Sequence, residues 1–287
     1  MTVAVSWIRK VHNCEELVFI SDSRLCGGHR WDECPKIMTM PREDCVLCFA
    51  GNTDYAYPMM MQVSYSMNEL NKIRTRAMDI SDLNGYVLKH INHLGKSVYN
   101  MADPEEQVGN EFLFGGYSWI EKKFLLWKYS YVHSDKSYRK DGQPHRIFRN
   151  VPGNIMVIGD QRENYKAELR RLLVEKYGEQ CKNYMGAGLD MEPFEALCNL
   201  LAKASPNDTI GGAPQMVKVY QYQNSRPVGI YWPKKTDNPF ENRTLLGRRM
   251  FEFEDTELWF MDPKTFYTQP CNKIHPTNEK NGLCDKE

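Results

Sequence analysis

The chain has 287 residues, of which 41% are hydrophobic and 12% aromatic, which is typical of a globular protein with one large core or two modest ones. Lys plus Arg and Asp plus Glu number 37 each, so no net charge attracts nucleic acid or an anionic membrane. Nine cysteines lack the spacing of a disulfide scaffold, the N-terminus does not resemble a signal peptide, and no run of about 18 apolar residues could span a bilayer. These features predict a cytoplasmic protein that binds neither nucleic acid nor membrane.

The N-terminal part of the chain predicts a β-meander. Residues 3–8 and 17–21 are short β-branched and aromatic runs joined by a polar segment around Asn13, which is typical of a hairpin. The segments 34–40 and 45–50 predict a second pair of strands, separated by a proline-led turn.

A helical period replaces the strand pattern after this meander. Apolar residues spaced by threes and fours predict one helix from Tyr57 to Leu70 and another from Ile80 to Val98. Beyond them, the pattern predicts strands at 111–117, 123–131 and 154–158, a polar loop at 134–145 as the best candidate for an insertion, helices at 160–177 and 191–204, and strands at 215–222 and 227–232. Without βαβ alternation, this order predicts an α+β fold, in which helices pack outside antiparallel sheets.

The composition changes at Pro233, beyond which Pro, Asn and Lys are frequent. We therefore predict a main domain at 2–232, an appendage packed on it at 233–270, and a flexible tail at 271–287.

The second residue is chemically unusual if it becomes the N-terminus. Removal of Met1, which a small second residue favours, would leave Thr2 with a hydroxyl and a free α-amine. A residue of this kind is a nucleophile that carries its own base.

Several short motifs share an order and spacing with a known family. They are Met1-Thr2-Val3, Ser21-Asp22-Ser23-Arg24, Lys36 in the next strand, Ala50-Gly51-Asn52, Phe114-Gly115-Gly116-Tyr117 and Asp208-Thr209-Ile210-Gly211-Gly212. Over roughly residues 2–230 the chain resembles the proteasome-type N-terminal nucleophile hydrolases. That family includes the catalytic proteasome subunits, the bacterial heat-shock-locus peptidase and the bacterial Anbu branch.

The resemblance implies a four-layer αββα sandwich of two antiparallel sheets and amide hydrolysis through an acyl-enzyme, without a cofactor. Thr2 would be the nucleophile, and its α-amine, whose ordinary pKa is about 8, the base. Lys36 would lower the pKa of that amine and Asp22 would hold Lys36 in place. The backbone N–H of Gly51 would form an oxyanion hole.

The residues that would support the Thr2 amine depart from the family pattern. A serine often follows the glycine that closes the strand before the third helix, whereas here Asp160 follows Gly159. In place of the family's Asp-x-x-Ser-Gly-Gly, the chain has Asn207 at the aspartate position and Ile210 at the serine position. The residues expected in this supporting role are Asp160, Asn207, Asp208, Thr209 and Gly211.

By the same resemblance, four residues would line the substrate pocket: Cys34, Met38, Phe49 and Thr53. Because most of them are apolar, we expect a preference for an apolar P1 side chain.

Two motifs could suggest a metal, but we predict none. Cys45 and Cys48 form the chain's CxxC, and on a strand their side chains point to opposite faces. His90 and His93 lie at helical spacing without the glutamate of a zinc-peptidase motif.

The sequence therefore predicts a threonine-type peptidase or amidase that acts on a peptide or protein and assembles as a homo-oligomeric ring. Two alternatives remain open. One is a non-catalytic ring or scaffold subunit with the same fold, and the other is a small-molecule amidohydrolase of the same nucleophile class. Whether an ATP-driven unfoldase docks on the ring cannot be read from the chain.

Overall fold

The structure, a computed structural model, describes residues 2–27, 29–98, 110–145, 147, 155–178, 188–222, 224–238, 240–251, 253–254 and 256–270. In chain order the strands are β1 (Ala4–Val11), β2 (Cys14–Ser21), β3 (Leu25–Gly27), β4 (His29–Trp31), β5 (Ile37–Thr39), β6 (Cys45–Ala50), β7 (Glu111–Ser118), β8 (Lys123–Val132), β9 (Ser137–Asp141), β10 (Ile155–Ile158), β11 (Gln215–Tyr220), β12 (Asn224–Pro227), β13 (Gly229–Tyr231), β14 (Arg243–Leu245), β15 (Arg248–Arg249), β16 (Trp259–Met261) and β17 (Thr268–Pro270). The α-helices are α1 (Thr53–Glu69), α2 (Asn71–Arg74), α3 (Ile80–Lys96), α4 (Arg162–Tyr177) and α5 (Glu192–Lys203).

The strands of the described ranges form three five-stranded sheets and one hairpin. The first sheet has the order β10-β1-β2-β11-β12 and the second sheet has the order β5-β6-β7-β8-β9. A C-terminal sheet has the order β15-β14-β13-β16-β17, and β3 pairs with β4. Both the first and the second sheet are antiparallel throughout, as the order of elements predicted.

Side-chain alternation along the strands divides the core. In β2, Val18 and Ile20 pack in a cluster with α4 and α5, whereas Phe19 between them packs in a different cluster. That second cluster also receives Val46 and Leu113 from the second sheet. A third cluster joins the other face of the second sheet to α1 and α3. Because side chains alternate along each strand, the first sheet contributes apolar residues to a core cluster on each of its two faces.

One predicted loop is corrected by the structure. The polar segment 134–145 was expected to be an insertion without regular structure, but it contains β9, which pairs with β8 at the edge of the second sheet. Tyr138 is the reason, because its buried ring packs edge-on against Phe112 and Tyr131. The other β9 side chains are polar and largely exposed, so composition alone indicates a loop.

The C-terminal sheet connects the end of the chain to the rest of the protein. Its central strand β13 pairs antiparallel with β14 and parallel with β16. Ile230 and Met261 pack in the same cluster as α5. The division at 232/233 stays a prediction, and the tail predicted at 271–287 lies outside the described residues.

Candidate active site

Strand ends bring the predicted catalytic residues together. Thr2 precedes β1 and Asp22 follows β2, its hairpin partner, in which Ala4 lies opposite Ser21. Lys36 precedes β5, and Gly51 follows β6, which pairs with β5. Residues that are distant in sequence thus meet where neighbouring strands begin and end.

Lys36 is the centre of the site. Its Nζ donates to Thr2 Oγ1 at 2.5 Å and to Asp22 Oδ1 at 2.9 Å. Thr2 is 1% exposed, and both Lys36 and Asp22 are 0% exposed. Lys36 therefore links the Thr2 hydroxyl to the Asp22 carboxylate in a buried site.

Asp22 is fixed by backbone donors as well as by Lys36. The N–H of Val3 donates to Oδ1 at 3.2 Å, and the N–H groups of Arg24 and Gly211 donate to Oδ2 at 3.2 and 3.3 Å. Burial raises the pKa of Asp22, while the Lys36 ammonium and these backbone N–H groups oppose that rise. With both oxygens occupied, the carboxyl group can hold Lys36 in a single orientation.

The nitrogen of Thr2 has a separate partner. It donates to Asp160 Oδ1 at 2.5 Å, and Asp160 Oδ2 accepts from Thr209 Oγ1 at 3.0 Å. Gln161, not predicted for this site, donates from Nε2 to Thr209 Oγ1 at 2.9 Å. Gly159 allows the approach, because a Cβ added there would lie 2.0 Å from the carbonyl oxygen of Thr2.

Two of the predicted supporting residues make their hydrogen bonds away from Thr2. Asn207 Oδ1 accepts from Arg30 Nη1 at 3.1 Å at an exposed position. Asp208 Oδ2 accepts from the backbone N–H of Ser205 at 2.6 Å, and this bond lowers the pKa of Asp208. The structure therefore brings Asp160, Thr209 and Gly211 into the hydrogen-bond network around Thr2. Asn207 and Asp208 instead bond to Arg30 and Ser205 at exposed positions.

Gly51 has a left-handed φ of +126°, which favours glycine at the end of β6. The residue before it, Ala50, borders the Gly159 backbone, since a Cβ at Gly159 would lie 3.4 Å from Ala50 Cβ. The use of the Gly51 N–H as an oxyanion donor remains a prediction.

The predicted pocket residues differ in their accessibility. Phe49 is fully buried under α1, where its ring meets Tyr57 edge-on at 5.0 Å between centroids. Cys34 is 2% exposed, and burial raises the pKa of its thiol to about 11. Met38 and Thr53 are partly exposed. The role of these four residues in substrate binding remains a prediction.

Gln215 is a site residue that the sequence reasoning missed. It is 0% exposed and lies at the start of β11. Its Oε1 accepts from the Lys36 N–H at 2.9 Å, and its Nε2 donates to the carbonyl oxygens of Cys34 and Asp22 at 2.7 and 3.1 Å. The available signal was an amide side chain at the start of a mostly apolar strand, shortly after the Gly-Gly motif.

Neither a metal-ligating cluster nor a membrane-spanning helix is found among the described residues. No group of three or more His, Cys, Asp or Glu side chains is arranged to hold a metal ion there. Cys45 and Cys48 pack in different core clusters, as the strand periodicity predicted. Of the helices in the described ranges, none combines the length and apolar character needed to cross a bilayer.

Similarity to known proteins is found among solved structures and not among family models or curated proteins. Neither a scan against protein-family models nor a search of curated proteins finds a match. Among solved structures, the chain is similar to the Anbu (Gly-1) mutant from Hyphomicrobium sp. strain MC1, with 14% sequence identity and a TM-score of 0.49. The alignment covers 79% of this chain and 85% of that chain. At this identity and TM-score the similarity supports no conclusion about the chemistry, which has to be inferred from the site itself.

Proposed function

We propose that the protein is a threonine-type amide hydrolase of the N-terminal nucleophile class, in which Thr2 becomes the nucleophile once the Met1–Thr2 bond is broken. The observation that carries this proposal is the pair of contacts made by the buried Lys36 ammonium, which holds the Thr2 hydroxyl on one side and Asp22 on the other. A hydroxyl that accepts from an ammonium is oriented to give its own proton to the adjacent α-amine.

The reaction follows from these positions. The α-amine takes the hydroxyl proton, directly or through one water, and Oγ1 attacks the carbonyl carbon of the substrate amide. The positive charge of Lys36 stabilises the developing negative charge on Oγ1, and the Gly51 N–H would stabilise the oxyanion. The protonated α-amine then gives its proton to the leaving amine. Water hydrolyses the resulting ester on Thr2 and restores the free hydroxyl.

Asp160 would stabilise the protonated α-amine during this cycle. Its Oδ1 already accepts from the Thr2 nitrogen, and Thr209 fixes its other oxygen. The favourable contact between a carboxylate and an ammonium is strongest when the positive charge forms during proton transfer. Asp160 would thus replace the serine that often stands at this position in the family.

The proposal includes the architecture and assembly that the resemblance implies. The three core clusters support a four-layer αββα sandwich, with an appendage from residue 233. Exposed apolar side chains on the outer helices, Met61 and Tyr65 on α1 and Val174 on α4, support a homo-oligomeric ring. The protein would act in the cytoplasm on peptides or proteins with an apolar P1 residue.

Turnover of fluorogenic peptide amides with apolar and charged P1 residues tests the proposal. The wild-type chain, Thr2→Ser and Thr2→Ala are compared after their N-termini have been verified. We expect the serine variant to retain part of the activity, because it keeps a hydroxyl beside the amine, and the alanine variant to fall to background. Equal turnover by Thr2→Ala and the wild type would overturn the assignment.

The burial of Thr2 favours a second candidate substrate class. Thr2 is 1% exposed in the chain that still carries Met1, and after Met1 is removed a small amide needs less opening around Thr2 than an extended peptide does. Hydrolysis of small amides without hydrolysis of peptides, both lost in Thr2→Ala, would identify a small-molecule amidohydrolase.

A further inference from the structure

The turn between β14 and β15 lies against the back of the candidate active site. A Cβ added to Gly247 in this turn would stand 2.3 Å from Ser23 Cβ and 3.2 Å from Gln215 Nε2. Gly247 also has a left-handed φ of +88°. Both the backbone conformation and the lack of space therefore require glycine at this position.

The two side chains beneath the turn, Gln215 and Ser23, both contact the segments that carry the Lys36–Asp22 pair. Gln215 bonds to the backbone N–H of Lys36 and to the carbonyl oxygen of Asp22, so it joins the two strand ends that carry the ion pair. All three of its bonds are buried, and an amide displaced from them would leave unsatisfied polar groups.

Ser23 is the neighbour of Asp22 in sequence and holds the surrounding loops. Its Oγ lies 2.7 Å from the carbonyl oxygen of Asp32 and 2.8 Å from that of Ala213. Its backbone N–H donates to Gly211 O at 3.1 Å, and the Gly211 N–H binds Asp22. Movement of Ser23 would therefore displace a donor to the Asp22 carboxylate.

We propose that the β14–β15 turn of the C-terminal segment is a positioning element for the Lys36–Asp22 pair and acts through Gln215 and Ser23. The inference rests on the proposed function, since it assigns residues beyond 233 a part in orienting the lysine that holds Thr2. Gly247 and Gln215 act on the nucleophile through the geometry of Lys36.

Two variants and a matched control test this role. Gly247→Ala introduces the forbidden Cβ, and Gln215→Met removes the amide while nearly keeping its length. Gly188→Ala is the control, because Gly188 has a comparable φ of +108° but nothing within 4 Å of an added Cβ. It imposes similar backbone strain without a collision.

Two readouts separate positioning from general packing. The first is the ¹³Cε resonance of Lys36 in lysine-labelled protein, assigned by its loss in Lys36→Arg. The second is the rate at which an epoxyketone modifies Thr2, and the thermal unfolding midpoint is recorded beside both. We expect Gly247→Ala and Gln215→Met to move the Lys36 resonance and to slow modification about tenfold or more. Gly188→Ala should do neither.

An unchanged Lys36 resonance and an unchanged rate in Gly247→Ala and Gln215→Met would overturn the inference. If Gly247→Ala does not fold, Gln215→Met decides by the same criteria. If the wild type is not modified at all, the proposed function fails, whereas the Lys36 resonance still shows whether the turn positions this side chain.

Discussion

Among the individual residues, Lys36 links the buried carboxyl group of Asp22 to the hydroxyl group of Thr2. Its ion pair with Asp22 is fully removed from water. Desolvation of both charges offsets most of their attraction, so a pair of this kind adds little to the stability of the fold. Its main contribution is the orientation that it gives to the Thr2 hydroxyl.

Removal of one partner from this pair should be costly. Lys36→Met leaves Asp22 buried without a counter-ion, and we expect the free energy of unfolding to fall by about 3–5 kcal/mol. Lys36→Met combined with Asp22→Asn removes both charges and should recover much of that loss, while Thr2 remains unreactive. Chemical denaturation of the single and double variants measures these changes in the free energy of unfolding. Wild-type stability in Lys36→Met alone would contradict the account.

The supporting carboxylate can be tested against a residue that the sequence assigned to the same role. Asp160→Asn keeps the size of the side chain but removes the negative charge that faces the Thr2 nitrogen, so it should slow epoxyketone modification about tenfold or more. Asn207→Ala is the control, and its rate should equal that of the wild type because Asn207 bonds to Arg30 at the surface. The reverse order of the two rates would return the supporting role to Asn207.

The family resemblance pointed to Asp22 and Lys36 beside Thr2, and the structure brings these three side chains together at strand ends. The sequence could not distinguish Asn207 and Asp208 from Thr209, since a loop can direct any one of three consecutive polar residues inward. Gln215 was missed for a different reason. Its role depends on contacts with two other strands, and a single strand pattern does not contain that information.

Secondary-structure elements followed the periodicity closely wherever a buried face was continuous. Helix α3 was predicted from Ile80 to Val98 and is observed from Ile80 to Lys96. The prediction of a strand at 34–40 was too long, because only Ile37–Thr39 pairs with β6. Strand β9 was missed since it contributes one buried ring from an otherwise polar edge.

Asp79 caps the N-terminus of α3 and also accepts hydrogen bonds from the end of β7 and the residue after it. Its Oδ1 accepts from the Ser81 N–H and from Ser118 Oγ, both at 2.9 Å, and its Oδ2 accepts from the Trp119 N–H at 3.1 Å. Burial alone would raise the pKa of Asp79, but these hydrogen bonds outweigh it and lower the pKa.

We expect Asp79→Ala to lower the free energy of unfolding by about 2–3 kcal/mol, because it removes a helix cap and leaves buried donors unpaired. Asp82 lies at an exposed position in the first turn of the same helix, and Asp82→Ala should lower the free energy of unfolding by well under half of that amount. Urea unfolding of both variants provides the comparison. Equal losses in the two would show that the buried cap contributes no more than an exposed acidic residue in the first turn.

Across the whole molecule, the parts that resisted prediction are those made by contacts between distant segments. Strand β13 pairs in parallel with β16, and Gly229 lies opposite Phe260, just over thirty residues further along the chain. The sequence predicted a strand at 227–232, but it did not indicate β16 as the partner of this strand. The appendage at 233–270 was predicted from composition and stays a prediction, whereas the sheet and the turn against Gln215 in this segment depend on tertiary packing.

The stability of the molecule should fall in mild acid because of His145. Burial, together with the charges of Lys166 and Lys128, lowers the pKa of His145 to about 4. Its Nδ1 accepts from the Val157 N–H at 3.1 Å, which requires the unprotonated nitrogen. In the unfolded chain His145 takes up a proton below about pH 6.5, whereas in the folded protein it stays neutral down to about pH 4.

Stability should therefore be independent of His145 above about pH 6.5 and decrease as the pH falls towards 4. Between about pH 7 and pH 5 we expect a loss of at most about 2 kcal/mol, reduced by the partial exposure of the ring. His145→Gln retains an acceptor for Val157 and should lose this part of the pH dependence. The free energy of unfolding is measured in urea at each pH. If it falls with pH equally steeply in His145→Gln and in the wild type, the assignment is refuted.

The central claim is that Thr2 is an N-terminal nucleophile, and intact mass with N-terminal sequencing before and after epoxyketone treatment tests it most directly. The probe requires a free amine and a hydroxyl on one residue. The account predicts a chain that begins at Thr2 and gains one adduct on that residue, with no adduct in Thr2→Ala. A chain that retains Met1 and forms no adduct would contradict it and would favour a non-catalytic ring or scaffold subunit.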